Sequence, residues 1–319
     1  MSEGYRVLVS CPLAWDGLEE FEPAFQANGI SIDLPEIPGQ ELGAEELLPI
    51  IGQYHGILAG DDHLSREVIE AGSRLKVIAK WGVGTDAIDL DAARENGVVV
   101  LNTPGMFGDE LADYAVGFLI LLARGQHIVD REVRAGGWHK LRGRSLAGRK
   151  LGIVGLGSSG AALARRALAM EMEVLGVDPL VEAERLPPEV KRVELADLLA
   201  VSDVISLHVP VVADTRSMID AGAIARMKHG VWLINTSRGA LIDESALLDG
   251  LESGVIGAAA LDVFGQEPPD PSNPLLHHPN VVLGAHNGSN TTEAVARTTR
   301  AAVANLIEGL TGETTWTSQ

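Results

Sequence analysis

The chain has a single cysteine, Cys11, in 319 residues. No intrachain disulfide is possible, and a reducing compartment, the cytoplasm, is the expected location. Aromatic residues make up only 4%, so any core must rest on Val, Ile, Leu and Ala. Positive charge is scarce: 25 Lys and Arg face 44 Asp and Glu, a formal net charge of −19. Nucleic acid and anionic membrane surfaces both require a positive face, so neither is expected as a partner. A small anionic substrate is not excluded, since one arginine can reverse the sign inside a cleft. The longest apolar stretch, near Ala115–Ala123, is too short to span a bilayer. The acidic start, Met1–Tyr5, lacks the basic region of a secretory signal. His277 and His278 are adjacent and point in different directions, and no cysteine cluster exists, so no metal is expected.

Hydrophobic residues reach 46%, which supports real cores, and the length suits two domains. Between Lys150 and Gly284 six short apolar runs recur: Leu151–Val154, Glu173–Val177, Val204–Val209, Val231–Asn235, Gly257–Leu261 and Val281–Gly284. Runs of this kind read as buried parallel strands. The first hundred residues alternate in the same way. Arg6–Ser10, Gly56–Ala59, Lys76–Lys80 and Val98–Leu101 read as strands, with helices over Leu18–Asn28, Glu45–Ile51, Ser65–Ala71 and Asp89–Glu95. One long helix is predicted over 109–135 and another over Thr291–Leu310, with Arg142–Lys150 as a connector. The fold class is therefore α/β, with two doubly wound parallel sheets.

In open sheets of this type ligands bind beyond the carboxyl ends of the strands. The residues standing there are Gly155-x-Gly157-x-x-Gly160, Asp178, Pro210, Arg238, Asp262 and His286. The glycine spacing matches a dinucleotide fingerprint, but 36 glycines in 319 residues give roughly 0.45 chance matches to it. Gly82-Val-Gly84-Thr-Asp-Ala87 is a decoy of the same kind. The two differ at the end of the next strand. After Gly160 that strand ends at Asp178, where a carboxylate can accept from ribose hydroxyls; after Gly84 it ends at Asn102. A carboxylate repels a 2′-phosphate, so NAD is expected over NADP, and Arg185 lies too far along to act as a phosphate clamp.

Arg238 can hold a carboxylate with two parallel hydrogen bonds. His286 can give a proton to a carbonyl oxygen and take it back. Glu267, set against the imidazole, would orient the ring and raise its pKa. Each of these has an ordinary alternative as a surface or loop residue. His208 sits in a strand and is more structural or cofactor-facing than catalytic.

With these residues in place, the sequence resembles the D-isomer-specific 2-hydroxyacid dehydrogenase family. The resemblance runs nearly the whole length, through Gly82-Val-Gly-Thr-Asp-Ala-Ile-Asp89, Asn102-Thr-Pro104, Leu151-Gly-Ile-Val-Gly-Leu-Gly157, Leu207-His-Val-Pro210, Met227-Lys, Ile234-Asn-Thr-Ser-Arg-Gly239, Ala260-Leu-Asp-Val-Phe264 and Glu267-Pro268. It implies a Rossmann NAD domain (102–285) inserted in a flavodoxin-like substrate domain (1–101 and 286–319). It implies Arg238 as substrate anchor, His286 as acid/base and Glu267 as its partner. Cofactor contacts are expected at Gly155, Gly157, Ser158, Ser159, Gly160, Asp178, His208, Val209, Pro210, Thr215, Thr236, Ser237, Asp262 and Gly288, with Asp262 meeting the nicotinamide. Substrate contacts are expected at Lys80, Trp81, Val83 and Gly84, besides Arg238 and His286. The implied reaction is hydride transfer between NADH and the 2-oxo carbon of a small oxo acid, phosphorylated or not, in a homodimer joined largely through the cofactor domain. The alternative is a non-catalytic NAD-sensing protein, since the same fold serves as a transcriptional corepressor.

Three departures bear on the substrate. Ala285-His286-Asn287 replaces a frequent Pro-His-Ile, Phe107 and Asp113 stand where asparagine and glutamate are usual, and Lys80-Trp81 precedes the substrate loop. No regulatory domain follows Gln319, so serine feedback is not expected.

Overall fold

The structure, a computed structural model, describes residues 4–312 apart from 38, 40, 183 and 185; Arg185 therefore lies outside the described residues. The chain splits into two compact units, Met1–Met106 with Asn290–Gln319, and Phe107–Ser289. The crossings lie at 106/107 and 289/290, beyond the 101/102 and 285/286 expected from the motifs, and His286 belongs to the second unit.

The first unit holds β1 (Tyr5–Val9), β2 (Ile30–Asp33), β3 (Gly56–Ala59), β4 (Val77–Lys80) and β5 (Val99–Leu101), all parallel in the order β2-β1-β3-β4-β5. This is the flavodoxin-like order. Every residue of the central strands β3 and β4 is buried, as parallel strands covered on both faces must be. The edge strand β2 escaped the apolar-run reading because Ile30-Ser-Ile-Asp33 is short and half polar.

Leu18–Asn28 is two elements, a 3-10 turn over Leu18–Phe21 and a helix over Glu22–Ala27. Pro23 explains the split, since its missing N–H suits the first turn of a helix and not its interior. The last helix, Thr292–Thr311, packs on β3, β4 and β5 within this unit. Thr291 caps it by accepting from Ala294 N–H at 3.1 Å. Gly309 lets it lie close to the sheet, where a Cβ would come within 2.3 Å of Val77.

The second unit holds β6 (Lys150–Val154), β7 (Glu173–Val177), β8 (Lys191–Arg192), β9 (Val204–Leu207), β10 (Val231–Asn235), β11 (Ile256–Leu261) and β12 (Val281–Leu283). All are parallel, in the order β12-β11-β10-β9-β6-β7-β8. Counted from β6, this is the 3-2-1-4-5-6 arrangement of dinucleotide-binding sheets, with one strand added. The order reverses between β6 and β9, which makes their carboxyl ends the crevice. All six apolar runs are strands. Only β8, a two-residue charged edge, had no apolar signal.

Alternation along β6 sends Leu151 and Ile153 into one core and Val154 into the other. Each such side chain, fully buried, contributes about 1.5–3 kcal/mol. The helix predicted over 109–135 is instead two, Gly108–Arg124 and Gln126–Arg134. Gly125 separates them at φ +57°, a left-handed conformation that a helix interior does not admit.

Candidate active site

The glycine turn between β6 and the helix Ser158–Ala169 divides its labour. Gly155 has φ +93°, and a Cβ there would lie 2.6 Å from the His208 carbonyl oxygen. A Cβ on Gly160 would lie 2.0 Å from the Gly155 carbonyl oxygen. Both therefore need glycine for packing. A Cβ on Gly157 would meet nothing within 4 Å. That position leaves bare backbone facing open space beside a helix N-terminus, whose free N–H groups suit an anion. The Thr236 hydroxyl, just past β10, is buried and has no hydrogen-bond partner in the protein. The open glycine and the orphaned hydroxyl fit a bound dinucleotide.

Asp178, past β7, is fixed from two directions. Leu156 N–H donates to one of its oxygens at 2.8 Å, and Leu180 N–H to the other at 2.8 Å. The first bond ties the acid to the glycine turn itself. Ser237 and Thr215 are held locally: the Ser237 hydroxyl donates to Leu207 O at 2.9 Å, and the Thr215 hydroxyl donates to Pro210 O at 2.7 Å. Ser159 meets His208 instead, its hydroxyl 3.1 Å from Nδ1, while Ser206 lies 2.9 Å from Nε2.

Burial lowers the His208 imidazole to about 4 from its ordinary 6.5, so it is neutral at pH 7. Between those two values the unfolded chain binds the extra proton, so stability is lost as pH falls from about 6.5 to about 4. The loss attributable to this ring is on the order of 3 kcal/mol at most. His208→Gln keeps the hydrogen-bonding capacity without titrating. Its unfolding free energy, measured in urea across that window, should fall less steeply than wild type, and parallel curves would contradict the assignment.

His286 follows β12 in a left-handed conformation, φ +52°. For a non-glycine residue this strain costs about 1–3 kcal/mol and must be enforced by neighbours. The enforcers are visible. His286 N–H donates to Asp262 O at 2.7 Å, and the Asp262 carboxylate accepts from Asn287 N–H at 3.0 Å and Gly288 N–H at 2.8 Å. The imidazole Nδ1 lies 2.6 Å from Glu267 Oε2, and Glu267 Oε1 accepts from Phe264 N–H at 2.9 Å. One carboxylate thus holds the ring and is itself held, which directs Nε2 away from Glu267.

Asp262 is 1% exposed, and its carboxylate also takes the Tyr114 hydroxyl; burial first, then the Asp262 charge, push that phenol up to about 12. The resemblance assigns Asp262 to the nicotinamide; each of its carboxylate oxygens also accepts one N–H from the 286–288 loop. Tyr114 went unnoticed in the sequence, where it is one aromatic within a long amphipathic helix.

Arg238 stands on the turn after β10. Asn235 braces it: its Nδ2 donates to Arg238 O at 2.8 Å, and its Oδ1 accepts from Ser237 N–H at 3.1 Å. Arg238 Nη1 donates to Ser237 O at 2.8 Å. The next residue must be glycine, because a Cβ on Gly239 would fall 1.9 Å from the Phe264 carbonyl carbon. The arginine turn therefore lies directly on the backbone of the segment that carries Glu267. Arg238, Glu267 and His286 are three loops of one unit, drawn to one end of one sheet.

In the first unit, Gly82 takes φ +123° and donates its N–H to the Thr103 hydroxyl at 2.9 Å, and Asn102 Nδ2 donates to Val83 O at 2.7 Å. Val83 is exposed on this turn and Gly84 half-buried beside it. Lys80 and Trp81, expected as substrate contacts, are turned inward. Lys80 is 3% exposed, with Nζ donating to Asp61 at 3.0 Å and to Trp81 O at 2.9 Å. The Trp81 indole N–H donates to Thr299 Oγ1 at 3.0 Å. An ammonium and an indole without solvent must find internal partners, and these have done so.

Residues 116–288 match the model of the D-isomer specific 2-hydroxyacid dehydrogenase, NAD binding domain. The D-3-phosphoglycerate dehydrogenase of Archaeoglobus fulgidus is 38% identical over 96% of this chain, which spans 58% of that protein's length. The hydroxypyruvate reductase of Thermotoga maritima is 41% identical over 82% of this chain and 87% of its own. Among solved structures, the D-lactate dehydrogenase of Aquifex aeolicus, complexed with NAD and lactic acid, is similar with a TM-score of 0.85 at 26% identity, covering 96% of both chains. The chain belongs to the D-isomer specific 2-hydroxyacid dehydrogenase family. NAD is its cofactor, and the Rossmann order of the second sheet is that family's NAD-binding domain.

Within that family the chain departs at the positions where its sequence differs. Asp113 is exposed and takes Arg166 at 2.6 Å, and Phe107 is buried. Neither is free to do what an asparagine or glutamate in those places would do. Among the described residues no helix is long and apolar enough to cross a membrane.

Proposed function

We propose that the protein is an NAD-dependent dehydrogenase that interconverts a small 2-oxo acid, phosphorylated or not, with its D-2-hydroxy acid. The observation that carries this reading is the His286–Glu267 pair at 2.6 Å, held on the same unit as Arg238 and the glycine turn. The dinucleotide, when bound, supplies and takes back the hydride. Gly157 admits its pyrophosphate to bare backbone, Gly155 and Gly160 allow the close packing that forms the turn, and Asp178 accepts from the adenosine ribose. Arg238 pairs with the substrate carboxylate and aligns the 2-oxo group. His286 Nε2 gives a proton to the oxo oxygen in reduction and receives it in oxidation. Glu267 keeps the imidazole in one orientation and stabilises its charged form. Asp262 and Tyr114 hold the strained loop on which the ring stands.

Arg238, Glu267 and His286 kept together favour chemistry over an NAD-sensing role. We place the enzyme in the cytoplasm and read it as a homodimer; Trp138 at 81% and Leu141 at 49% exposure support a covered surface on the second unit. Absorbance at 340 nm should fall when NADH is mixed with one or more of glyoxylate, hydroxypyruvate, 3-phosphohydroxypyruvate or a phosphonate oxo acid. NADH binding without oxidation by any of them would favour the non-catalytic reading. Asp178→Ala should erode the preference for NAD over NADP in kcat/KM, and an unchanged ratio would remove Asp178 from the ribose site.

A further inference from the structure

A hydrogen-bonded file of three side chains runs from the interior of the second unit to the glycine turn. Ser206 in β9 is fully buried, and its hydroxyl stands 2.9 Å from His208 Nε2. His208 Nδ1 stands 3.1 Å from the hydroxyl of Ser159, the second residue of the helix Ser158–Ala169. Ser159 is half-buried, at the helix end beside Gly157. The dinucleotide fingerprint leaves its position open, so a hydroxyl there belongs to this chain rather than to the motif. Among the described residues neither serine hydroxyl has another partner.

Counting protons fixes the direction of the file. A hydroxyl has one proton to give, and a neutral imidazole has one N–H and one bare nitrogen. The His208 ring is neutral at pH 7, because burial lowers its pKa to about 4. With the ring proton on Nε2, the imidazole would donate to Ser206, and the Ser206 proton would be stranded in the interior. A stranded buried donor disfavours that tautomer by about fivefold or more. With the ring proton on Nδ1, Ser206 donates to Nε2 and Nδ1 donates to Ser159. The one proton left without a protein acceptor is then that of Ser159, at the rim of the turn, where water or an anion can take it. Unrestrained histidine side chains favour the Nε2 proton, so the order imposed by Ser206 is the reverse of the default.

We propose that Ser206 and His208 are positioning residues that fix the Ser159 hydroxyl as a donor to a phosphate oxygen of the bound dinucleotide. The turn itself offers backbone N–H groups. Ser159 adds a side-chain proton whose direction is set from within the sheet. The inference rests on the pyrophosphate lying at the glycine turn.

Two measurements on the full chain decide it. Nitrogen-15 NMR of the histidine side chains, with His208 assigned by its disappearance in His208→Gln, should show the proton on Nδ1 with and without NADH. In Ser206→Ala, where the constraint is gone, the Nε2 form should appear. A proton on Nε2 in the wild type would overturn the proposal. Fluorescence titration should find NADH bound about tenfold more weakly by Ser159→Ala, a hydrogen bond to a charged group being worth at least that factor. Ser159→Thr keeps a hydroxyl and should recover most of the loss. Adenosine carries no phosphate, and its affinity, read by competition with NADH, should be the same in Ser159→Ala and wild type. NADH affinity within twofold of wild type in Ser159→Ala would overturn the donor role. So would equal weakening of adenosine and NADH, which marks general damage to the turn. A wild type that binds neither NADH nor adenosine would remove the dinucleotide from the turn, and the proposal with it.

Discussion

His286→Asn should lower kcat for oxo-acid reduction by a factor of about 10²–10⁴, the usual worth of a positioned general acid, while the dissociation constant for NADH stays within a few-fold of wild type. Asparagine is the informative replacement. Position 286 has φ +52°, and asparagine is among the few residues that tolerate the left-handed region. The loop bonds from Asp262 to the amides of 286, 287 and 288 do not involve the ring and persist. What disappears is a nitrogen that can deliver a proton. A proline or β-branched residue there would confuse lost chemistry with a broken loop. Stopped-flow reduction alongside fluorescence titration of NADH separates the two. Loss of NADH binding with intact turnover per bound cofactor would move His286 from the acid/base role to the cofactor site.

The second large effect is expected at Arg238. Arg238→Gln removes two charge-assisted hydrogen bonds to the substrate carboxylate, each worth about 1.5–3 kcal/mol. The predicted fall in kcat/KM is on the order of 10²–10⁴-fold, appearing in KM and in kcat because the carboxylate contact also aligns the oxo carbon. Arg238→Lys restores the charge without the fork and should recover only a small part. NADH affinity should change little, since the arginine bonds to Ser237 O and, through its backbone, to Asn235. A kcat/KM within threefold of wild type for Arg238→Gln would place the substrate carboxylate elsewhere.

The sequence carried these two residues because chemistry and topology coincide at strand ends. A buried parallel strand is a run of apolar residues, and a crevice side chain is the first capable residue past it. β6, β7, β9, β10, β11 and β12 all have that signature, and Asp178, Arg238, Asp262 and His286 stand just beyond them. Where burial is partial the signature fades, as in Ile30–Asp33 and Lys191–Arg192 on sheet edges.

The internal direction of a side chain is a property of packing rather than of spacing. Lys80 and Trp81 precede the exposed Val83 turn and read as cleft residues; only the geometry shows Asp61 and Thr299 drawing them inward. Tyr114 is the converse. Nothing in Asp113-Tyr114-Ala115 announces a partner for Asp262, which lies far along the chain and meets it only when the helix Gly108–Arg124 is laid on the sheet. Gly239 lies between the two cases. Its motif places it after the arginine, but the need for glycine is the 1.9 Å approach to Phe264.

The central claim is a direct transfer between the nicotinamide and the 2-carbon of an oxo acid held by this chain. Tracing deuterium tests it most directly. NADH carrying deuterium at C4 is mixed with the best oxo acid from the screen, and the product is read by proton NMR and mass spectrometry. One deuterium should appear on C2, on one face only, giving the D-hydroxy acid with no exchange into solvent. Product with hydrogen from water at C2, or NADH oxidised without a 2-hydroxy acid formed, would contradict it.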